Sequence, residues 1–506
     1  SNLDILQTVY CSILLKFNKK IKEDKNENQT KKENDKISPH VKQILLASGP
    51  LFLTLSFGMI LGYSATLLPQ LENQDNNFFR ITKEQASWIA SLAALPMAIG
   101  CILGGFLIEH LGRKTTHVIT CPPILIGWLL IYFAKDVELI LLGRFVTGFC
   151  CGILGSATGV YIAETSSPRL RPFLLGSIST AVAVGLFLVH LIGTYTSWTN
   201  TALICCLFPI MGLFSLFGVP ESPQWLVKKG KLEEAEEAFY WCRGEVEEAR
   251  REFKILLERK KNTSDKVTLG IIEGVKNSLV PEFLKPLFLM IVFICAVQWS
   301  GVNALAFYTV SILKETLNDK LNEYHGMLIV DTIRVVMSIL ACYLLRNFGR
   351  RPLGIISGIG TTISLLVLSS YTFLVTIYPN LTNPYIPVAS LVLYITFLQI
   401  GFVPLPWSII SEIFPLKQRS LGSAISSFVA FISTFSVVKT TPTLFHHLAP
   451  YGTFLLYSSV ASFGTIFVIL YLPETMGKEL HEIEEHFKRK PVKTVRTKYD
   501  NDENFA

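Results

Sequence analysis

The stretch QASWIASLAALPMAIGCILGGFLIEHLGRK, residues 85–114, carries no charged side chain between Gln85 and Ile108 and then ends in a charged turn. A helix of that length spans the roughly 30 Å hydrocarbon core of a lipid bilayer. Inside lipid every backbone polar group needs a partner within the protein, and a helix supplies such partners. The stretch therefore predicts a membrane-spanning helix followed by a turn at the membrane surface.

Runs of the same kind recur along the chain, which is 50% hydrophobic and 17% charged and has a mean hydropathy of +0.42. A soluble chain of this length carries more charge. We predict an all-α membrane protein with twelve transmembrane helices. They lie near residues 44–68, 85–108, 115–134, 138–166, 172–194, 200–219, 286–313, 324–346, 351–376, 385–410, 418–440 and 450–472.

A polar stretch separates the sixth predicted span from the seventh. Its apolar residues recur at helical spacing, which is typical of a small amphipathic helical domain outside the membrane. The chain then divides into an N-terminal segment, a six-helix bundle, a helical linker domain, a second six-helix bundle and a C-terminal tail. These five parts cover residues 1–43, 44–219, 220–285, 286–472 and 473–506.

Positive charge in the short loops predicts the orientation. The loops on the linker side carry nine lysines and arginines, against five on the other side. Because such residues accumulate in cytoplasmic loops, we expect the linker and both termini to be cytoplasmic. We further expect a multi-pass protein of the plasma membrane.

Three features repeat between the two halves of the sequence. Gly-Arg-Lys at 112–114 matches Gly-Arg-Arg at 349–351, and Pro-Glu-Ser at 220–222 matches Pro-Glu-Thr at 473–475. Glu164 precedes an arginine by seven residues, as Glu412 does. The offsets are 237, 253 and 248 residues, which favours two similar bundles with a binding site at their interface.

Several classes of function are excluded. The net charge of +7 is carried largely by loops between spans, so we expect no nucleic-acid partner. The ten cysteines include no Cys-x-x-Cys pair, and no histidines and carboxylates are spaced for a metal site or a catalytic triad. We expect no cofactor, no metal and no enzymatic activity, and a monomer.

Six motifs occur in an order that resembles the sugar porters of the major facilitator superfamily, over residues 44–486. They are GGFLIEHLGRK (104–114), VYIAETSSPRLRP (160–172), PESPQWL (220–226), QWSGVN (298–303), PLPWSIISEIFP (404–415) and PETMGKELHEIEE (473–485). TFSVVKT (434–440) resembles the insect facilitated trehalose transporters in particular.

The resemblance implies facilitative uniport of a small sugar, trehalose or glucose, by alternating access between two membrane-embedded halves. The expected partners are then the sugar and membrane lipid. A sugar sensor or receptor with little transport activity is the alternative. It is suggested because the fifth span lacks a family glutamine and the second-half loop has Arg346-Asn347 where an acid and an arginine are usual.

Polar groups on the seventh span are the main candidates for binding. Ser300-Gly301 weakens the helix there, and broken helices in membranes line cavities or lie buried in protein. The amides of Gln298 and Asn303 match sugar hydroxyls, although both also suit hydrogen bonds between helices.

By resemblance the sugar contacts include Gln298, Asn303 and Trp407, and an aromatic gate includes Phe307 and Tyr308. Core packing is the alternative for Trp407. Thr180, near the place of the missing glutamine, and Gln399 are further candidates.

Charged residues at the span ends are candidates for conformational gating, through ion pairs between the halves that the resemblance implies. The alternative is simple anchoring of the topology by positive charge. The candidates are Arg113, Lys114, Glu164, Arg171, Arg350, Arg351, Glu412 and Arg419.

Four other residues bear on function. Asp331 and Arg334 are three residues apart in the eighth span and can form an ion pair on one helix face. Ser64 follows Gly62-Tyr63 where proton-driven symporters of the family carry an aspartate, which argues against proton coupling. Asn380 begins the only glycosylation sequon on a loop predicted to be extracellular.

Overall fold

A computed structural model describes residues 38–72, 80–264, 280–317, 322–415, 418–476 and 487, and the regular structure within these ranges is entirely helical. The first half contains α1 (Pro39–Glu72), α2 (Lys83–Ser91), α3 (Leu95–His110), α4 (Arg113–Tyr132), α5 (Val137–Thr165), α6 (Arg171–Tyr195), α7 (Trp198–Cys205) and α8 (Leu207–Leu216). The linker contains α9 (Pro223–Lys229), α10 (Leu232–Arg243) and α11 (Glu247–Ser264).

The second half contains α12 (Pro281–Val297), a π-helix (Gln298–Val302), α13 (Asn303–Leu317), α14 (Glu323–Asn347), α15 (Arg350–Ile377), a 3₁₀ turn (Pro379–Leu381), α16 (Tyr385–Ile400), α17 (Pro404–Ile413) and α18 (Arg419–Tyr471).

Eleven helical segments in the described part of the chain are long and apolar enough to cross a membrane. This part of the chain is therefore that of a helical membrane protein. The last segment, Leu421–Tyr471, has 51 residues, and at 1.5 Å per residue it far exceeds a core about 30 Å thick. It changes direction at Ala449, whose φ of 58° is left-handed, just before Pro450.

Each half packs mainly within itself. In the first half, residues 39–216, α1 packs against α6 and α8, and α5 against α3 and α4. In the second half, residues 281–471, α15 packs against α16 and α18, and α12 against α18. Four pairs of helices make the main contacts between the halves, namely α1 with α13, α2 with α18, α3 with α18, and α6 with α14.

Glycines let α3 and α5 approach to backbone contact. A Cβ placed at Gly100 would lie 2.1 Å from the carbonyl oxygen of Phe149, and one at Gly148 would lie 2.1 Å from that of Ala93. No side chain fits in these gaps, and without water as a competitor such close packing is what holds membrane helices together.

The linker helices have a core of their own, formed by Leu226, Val227, Ala235, Phe239 and Phe253 with their neighbours. The apolar spacing predicted this helical unit. It is attached to the first half through α10, where Gln43 Nε2 of α1 donates to the Cys242 carbonyl oxygen at 2.9 Å.

Two glycines of α3 allow a matched test of the close packing. Gly100→Ala forces a methyl group onto the α5 backbone and should destabilise the protein by about 1–3 kcal/mol. Gly105→Ala is the control, since a Cβ there meets no atom within 4 Å. Thermal unfolding of the detergent-solubilised protein measures both. Equal midpoints for the two variants would contradict the packing argument.

Candidate functional site

The seventh predicted span is broken where the sequence suggested. The π-helix Gln298–Val302 interrupts it, and Gly301 has a φ of 91°. A Cβ at this position would lie 2.7 Å from Tyr457 Cδ2, so both the backbone conformation and the space require glycine. Ser300 Oγ donates to the Val297 carbonyl oxygen at 2.7 Å, which satisfies one acceptor freed by the break.

The break brings two amides together. Asn303 Nδ2 donates to Gln298 Oε1 at 2.7 Å and to Thr434 Oγ1 of α18 at 3.2 Å. Gln298 Nε2 donates to the Ala430 carbonyl oxygen of α18 at 3.4 Å. In this structure the two amides therefore form the hydrogen bonds between helices that the sequence allowed as their alternative role.

Aromatic side chains lie beside these amides. The Trp407 side chain of α17 is exposed, and its ring centroid is 6.5 Å from that of Phe431. Phe431 follows Ala430 on α18 and also faces the first half, where a Cβ at Gly155 would lie 3.4 Å from it. Trp407 thus contacts a ring that lies at the interface of the halves.

The two gate candidates are buried. Phe307 is fully buried, and Tyr308 Oη donates to the Val438 carbonyl oxygen of α18 at 3.0 Å. Nearby, Lys439 Nζ lies 4.0 Å from the Trp88 ring of the first half. The two halves are therefore in contact at Lys439, the residue that follows the hydrogen-bond partner of Tyr308.

The remaining two binding candidates lie elsewhere. Gln399 is buried in α16 at 8% exposure. Thr180 Oγ1 of α6 is 4.0 Å from Cys342 Sγ of α14, so it lies at the α6–α14 contact. The described hydrogen bonds of the amide pair involve neither side chain.

Two carboxylates, Glu164 and Glu221, hold together the helix ends at one end of the first half. Glu164 accepts hydrogen bonds from Arg113 Nε and Nη2 at 2.8 and 2.9 Å, and one from the Ser222 hydroxyl. Glu221 accepts the backbone N–H groups of Arg113 and Lys114, both at 2.9 Å, at the start of α4. A carboxylate at a helix N-terminus satisfies N–H groups that have no partner inside the helix.

The second half repeats this arrangement. Glu412 accepts from Arg350 Nη2 at 3.0 Å and from Thr475 Oγ1 at 2.6 Å. Glu474 accepts the backbone N–H groups of Arg350 and Arg351 at 2.9 and 3.1 Å. Burial raises the pKa of the Glu474 carboxyl, but four backbone N–H donors outweigh it and hold that pKa below its usual value.

The other gating candidates bind main-chain groups. Lys114 Nζ donates to Val219 at 2.8 Å, Arg171 Nη2 to Ser166 at 3.2 Å, and Arg351 Nη2 to Ile469 at 2.5 Å. The side chain of Arg419 lies outside the described part of the chain, although its backbone begins α18.

The ion pairs of the candidates differ from what the resemblance implies. Arg113–Glu164 and Arg350–Glu412 each join span ends within one half and not across the two halves. The reason is geometric. Arg113 and Arg350 are the first residues of helices whose N-termini are capped by Glu221 and Glu474. This position brings each arginine side chain to a second carboxylate of the same half, Glu164 or Glu412.

A buried charged cluster does join the halves. Arg334 Nη1 lies 2.9 Å from Asp331 Oδ1 on α14, as their spacing predicted. His190 of α6, which the sequence reasoning missed, places Nδ1 at 2.5 Å from Asp331 Oδ2 and Nε2 at 3.0 Å from the Gly62 carbonyl oxygen. All three side chains are at most 5% exposed.

A second buried cation, Arg144, was also missed. It donates to the carbonyl oxygens of Ile89 and Ile60 at 3.2 and 2.7 Å, and to Ser64 Oγ at 2.7 Å. Within the described ranges no carboxylate lies within ion-pair distance of it. A mid-span arginine in an apolar run was the available signal, since such a residue needs buried acceptors.

The glycosylation candidate is accessible. Asn380 is exposed in the 3₁₀ turn between α15 and α16. Its sequon partner, Thr382, donates through Oγ1 to the Pro379 carbonyl oxygen at 2.6 Å.

Comparison with solved structures defines the fold. The chain resembles the proton:xylose symporter XylE, a major facilitator superfamily protein, bound to 6-bromo-6-deoxy-D-glucose, with a TM-score of 0.73 and 20% identity over 89% of this chain and all of that one. An inward-open structure of XylE from E. coli gives a TM-score of 0.71, again at 20% identity, over 89% of this chain and all of that one.

Sequence comparison defines the family. The facilitated trehalose transporter Tret1 of Apis mellifera ligustica is 32% identical over 450 residues, which is 88% of each chain. That of Polypedilum vanderplanki is 32% identical over 87% of each, and that of Drosophila pseudoobscura pseudoobscura matches 87% of this chain over 51% of its own length. The family model for "Sugar (and other) transporter" matches residues 8–487. The chain therefore belongs to this family of sugar transporters, as a membrane carrier and not an enzyme.

Proposed function

We propose that the protein is a facilitative uniporter that moves a small sugar, trehalose or glucose, across the plasma membrane by alternating access. The observation that carries the proposal is the broken seventh span, which holds the amides of Gln298 and Asn303 beside Trp407 near the interface of the halves. Relatives named as trehalose transporters support the choice of sugar.

The architecture we propose has twelve spans in two six-helix bundles. The turn at Ala449 supports it, because it divides α18 into two lengths that each suffice for one crossing. An even number of spans places both termini on the side of the linker domain, and the excess of positive loop charge supports a cytoplasmic location for that side. The site needs one chain only, so a monomer suffices.

Binding is proposed as an exchange of hydrogen bonds. The sugar hydroxyls replace the Gln298–Asn303 bond and the bonds to α18, while the ring lies on Trp407. Phe307 and Tyr308 cover the site from one side. Tyr308 is held there by its hydrogen bond to the Val438 carbonyl oxygen of α18. Gln399 and Thr180 are proposed to reach the sugar from α16 and α6.

The charged helix ends are proposed to make each half rigid. Every carboxylate there binds partners from its own half, so each half can rotate as a body without breaking its own ion pairs. A rigid half is what a rocking mechanism needs, since otherwise a change at the site would be absorbed by local bending.

Replacing the two amides tests the site. Asn303→Ala or Gln298→Ala should weaken sugar binding by about 1–3 kcal/mol, because each would leave a sugar hydroxyl in the proposed site without its amide partner. The double variant should cost less than the two single effects together, since the residues bond each other at 2.7 Å. Calorimetry with trehalose and glucose on purified protein measures this. Asn347→Ala, at an exposed position of α14, is the control. Unchanged binding in all variants would assign the amides to helix packing.

Two glutamates test the helix-end network. Glu164→Gln leaves the buried Arg113 guanidinium without a counter-charge and should lower stability by up to about 3–5 kcal/mol. Glu109→Gln breaks an exposed pair with Lys228 and should cost at most about 1 kcal/mol. Thermal unfolding compares them, with uptake measured in parallel. Similar losses in both variants would show that the Glu164 network has no special role.

Uniport predicts that transport is independent of a proton gradient. Ser64 supplies a hydroxyl to Arg144 where a symporter needs a carboxyl group that takes up and releases a proton. Sugar uptake into proteoliposomes should therefore stop at the external concentration, with or without an inward proton gradient at matched internal pH. Accumulation that a protonophore abolishes would contradict uniport, whereas binding without any flux would favour a sensor.

A further inference from the structure

Two arginines converge on one carbonyl group where the linker meets the membrane helices. The Ser166 carbonyl oxygen, at the turn between α5 and α6, accepts Arg243 Nη2 of α10 at 2.6 Å and Arg171 Nη2 of α6 at 3.2 Å. Two positive groups on one neutral acceptor repel each other, and a carbonyl oxygen cannot neutralise them.

Several other donors at this place have no acceptor. Arg243 Nε and Nη1, Arg171 Nε and Ser167 Oγ are buried without a hydrogen-bond partner among the described residues. The Arg243 side chain is only 9% exposed. Buried donors are almost always satisfied, and leaving a charged one unpaired is costly. Four such atoms in one place indicate a missing acceptor with several oxygens.

The local charge favours an anion. The one carboxylate in ion-pair distance of Arg243 within the described ranges is Glu252, at 3.5 Å from Nε and outside hydrogen-bond geometry. Burial lowers the pKa of Arg243 and outweighs the opposing effects of Glu252 and Cys242, and the nearby charge of Arg171 adds a smaller lowering. Glu252 is 43% exposed, so it can move aside into water.

We propose that Arg171, Arg243 and Ser167 bind a phosphate-type anion. Planar guanidinium groups match the oxygens of phosphate in pairs, and a hydroxyl adds a further donor. Arg171 is also the first residue of α6, whose preceding residue Leu170 provides no side-chain cap, so the positive end of the helix dipole faces the same place.

The anion comes from a phospholipid headgroup or from a soluble phosphate, since both present the same oxygens. Arg171 begins a membrane-crossing helix, which sets the site at the depth of the headgroups. A bound anion would join α10 to the α5–α6 turn and so hold the linker domain on the first half. The residues proposed to bind sugar are separate from this site, so the absence of phosphate binding would leave the proposed sugar site untouched.

The test uses the full-length chain and two sources of phosphate. In detergent, inorganic phosphate or pyrophosphate should raise the unfolding midpoint relative to chloride at equal ionic strength. In nanodiscs, phosphatidylinositol phosphate should do so relative to phosphatidylcholine alone. Stabilisation in the first arm identifies a soluble ligand, and stabilisation in the second arm alone identifies a headgroup. Absence of both would overturn the proposal.

Variants make the test specific. Arg243→Gln and Arg171→Gln should each weaken the apparent affinity by about ten-fold or more, the usual effect of losing a charged hydrogen bond. Arg250→Gln, at an exposed position of α11, should leave it unchanged. Glu252→Gln removes the competing carboxylate and should strengthen binding, an outcome that a poorly folded variant cannot give. Equal affinities in the wild type, R243Q and E252Q would contradict the site.

Discussion

A carboxylate on the N-terminus of a membrane helix is the interaction on which each half of the structure depends. The first N–H groups of α4 and α15 have no partners within their helices, and at the membrane surface they are only partly hydrated. Glu221 and Glu474 satisfy them and also meet the positive end of the helix dipole. Each glutamate follows the last span of its half, so the same bonds tie the end of that half to the start of its third span. The neighbouring Ser222 and Thr475 then reach the half-buried Glu164 of α5 and Glu412 of α17.

These bonds explain why glycine precedes both helices. A Cβ at Gly112 would lie 2.4 Å from Glu221 Oε2, and one at Gly349 would lie 2.4 Å from Glu474 Oε2. The absence of a side chain lets the carboxylate approach the backbone. Two sequence motifs that are far apart, Gly-Arg and Pro-Glu, are thus the two sides of one contact, and the contact occurs once in each half.

The internal repeat was predictable from sequence because matched motifs at similar offsets must lie in matched places. Helix positions were predictable too, since apolar length is all that a lipid core selects. The contacts between side chains of distant helices were not predictable from the sequence. His190 meets Asp331 across 141 residues, and no spacing rule relates them. Arg144 was overlooked because its partners are mostly main-chain carbonyl groups, which every residue has. The arginines at the helix ends were predictable as candidates for ion pairs, but which carboxylate each one meets depends on how the helices pack.

For the sugar site that we propose, the bond between Asn303 and Gln298 limits the strength of binding. A polar site that satisfies itself when empty offers a ligand only the difference between new and old hydrogen bonds. Such a site discriminates by shape and hydroxyl position while its affinity stays modest. For a carrier this is an advantage, because a solute that is held weakly also leaves quickly, and turnover is limited by the slowest departure. The amide pair would thus lower the affinity for the sugar and raise the rate at which it is released.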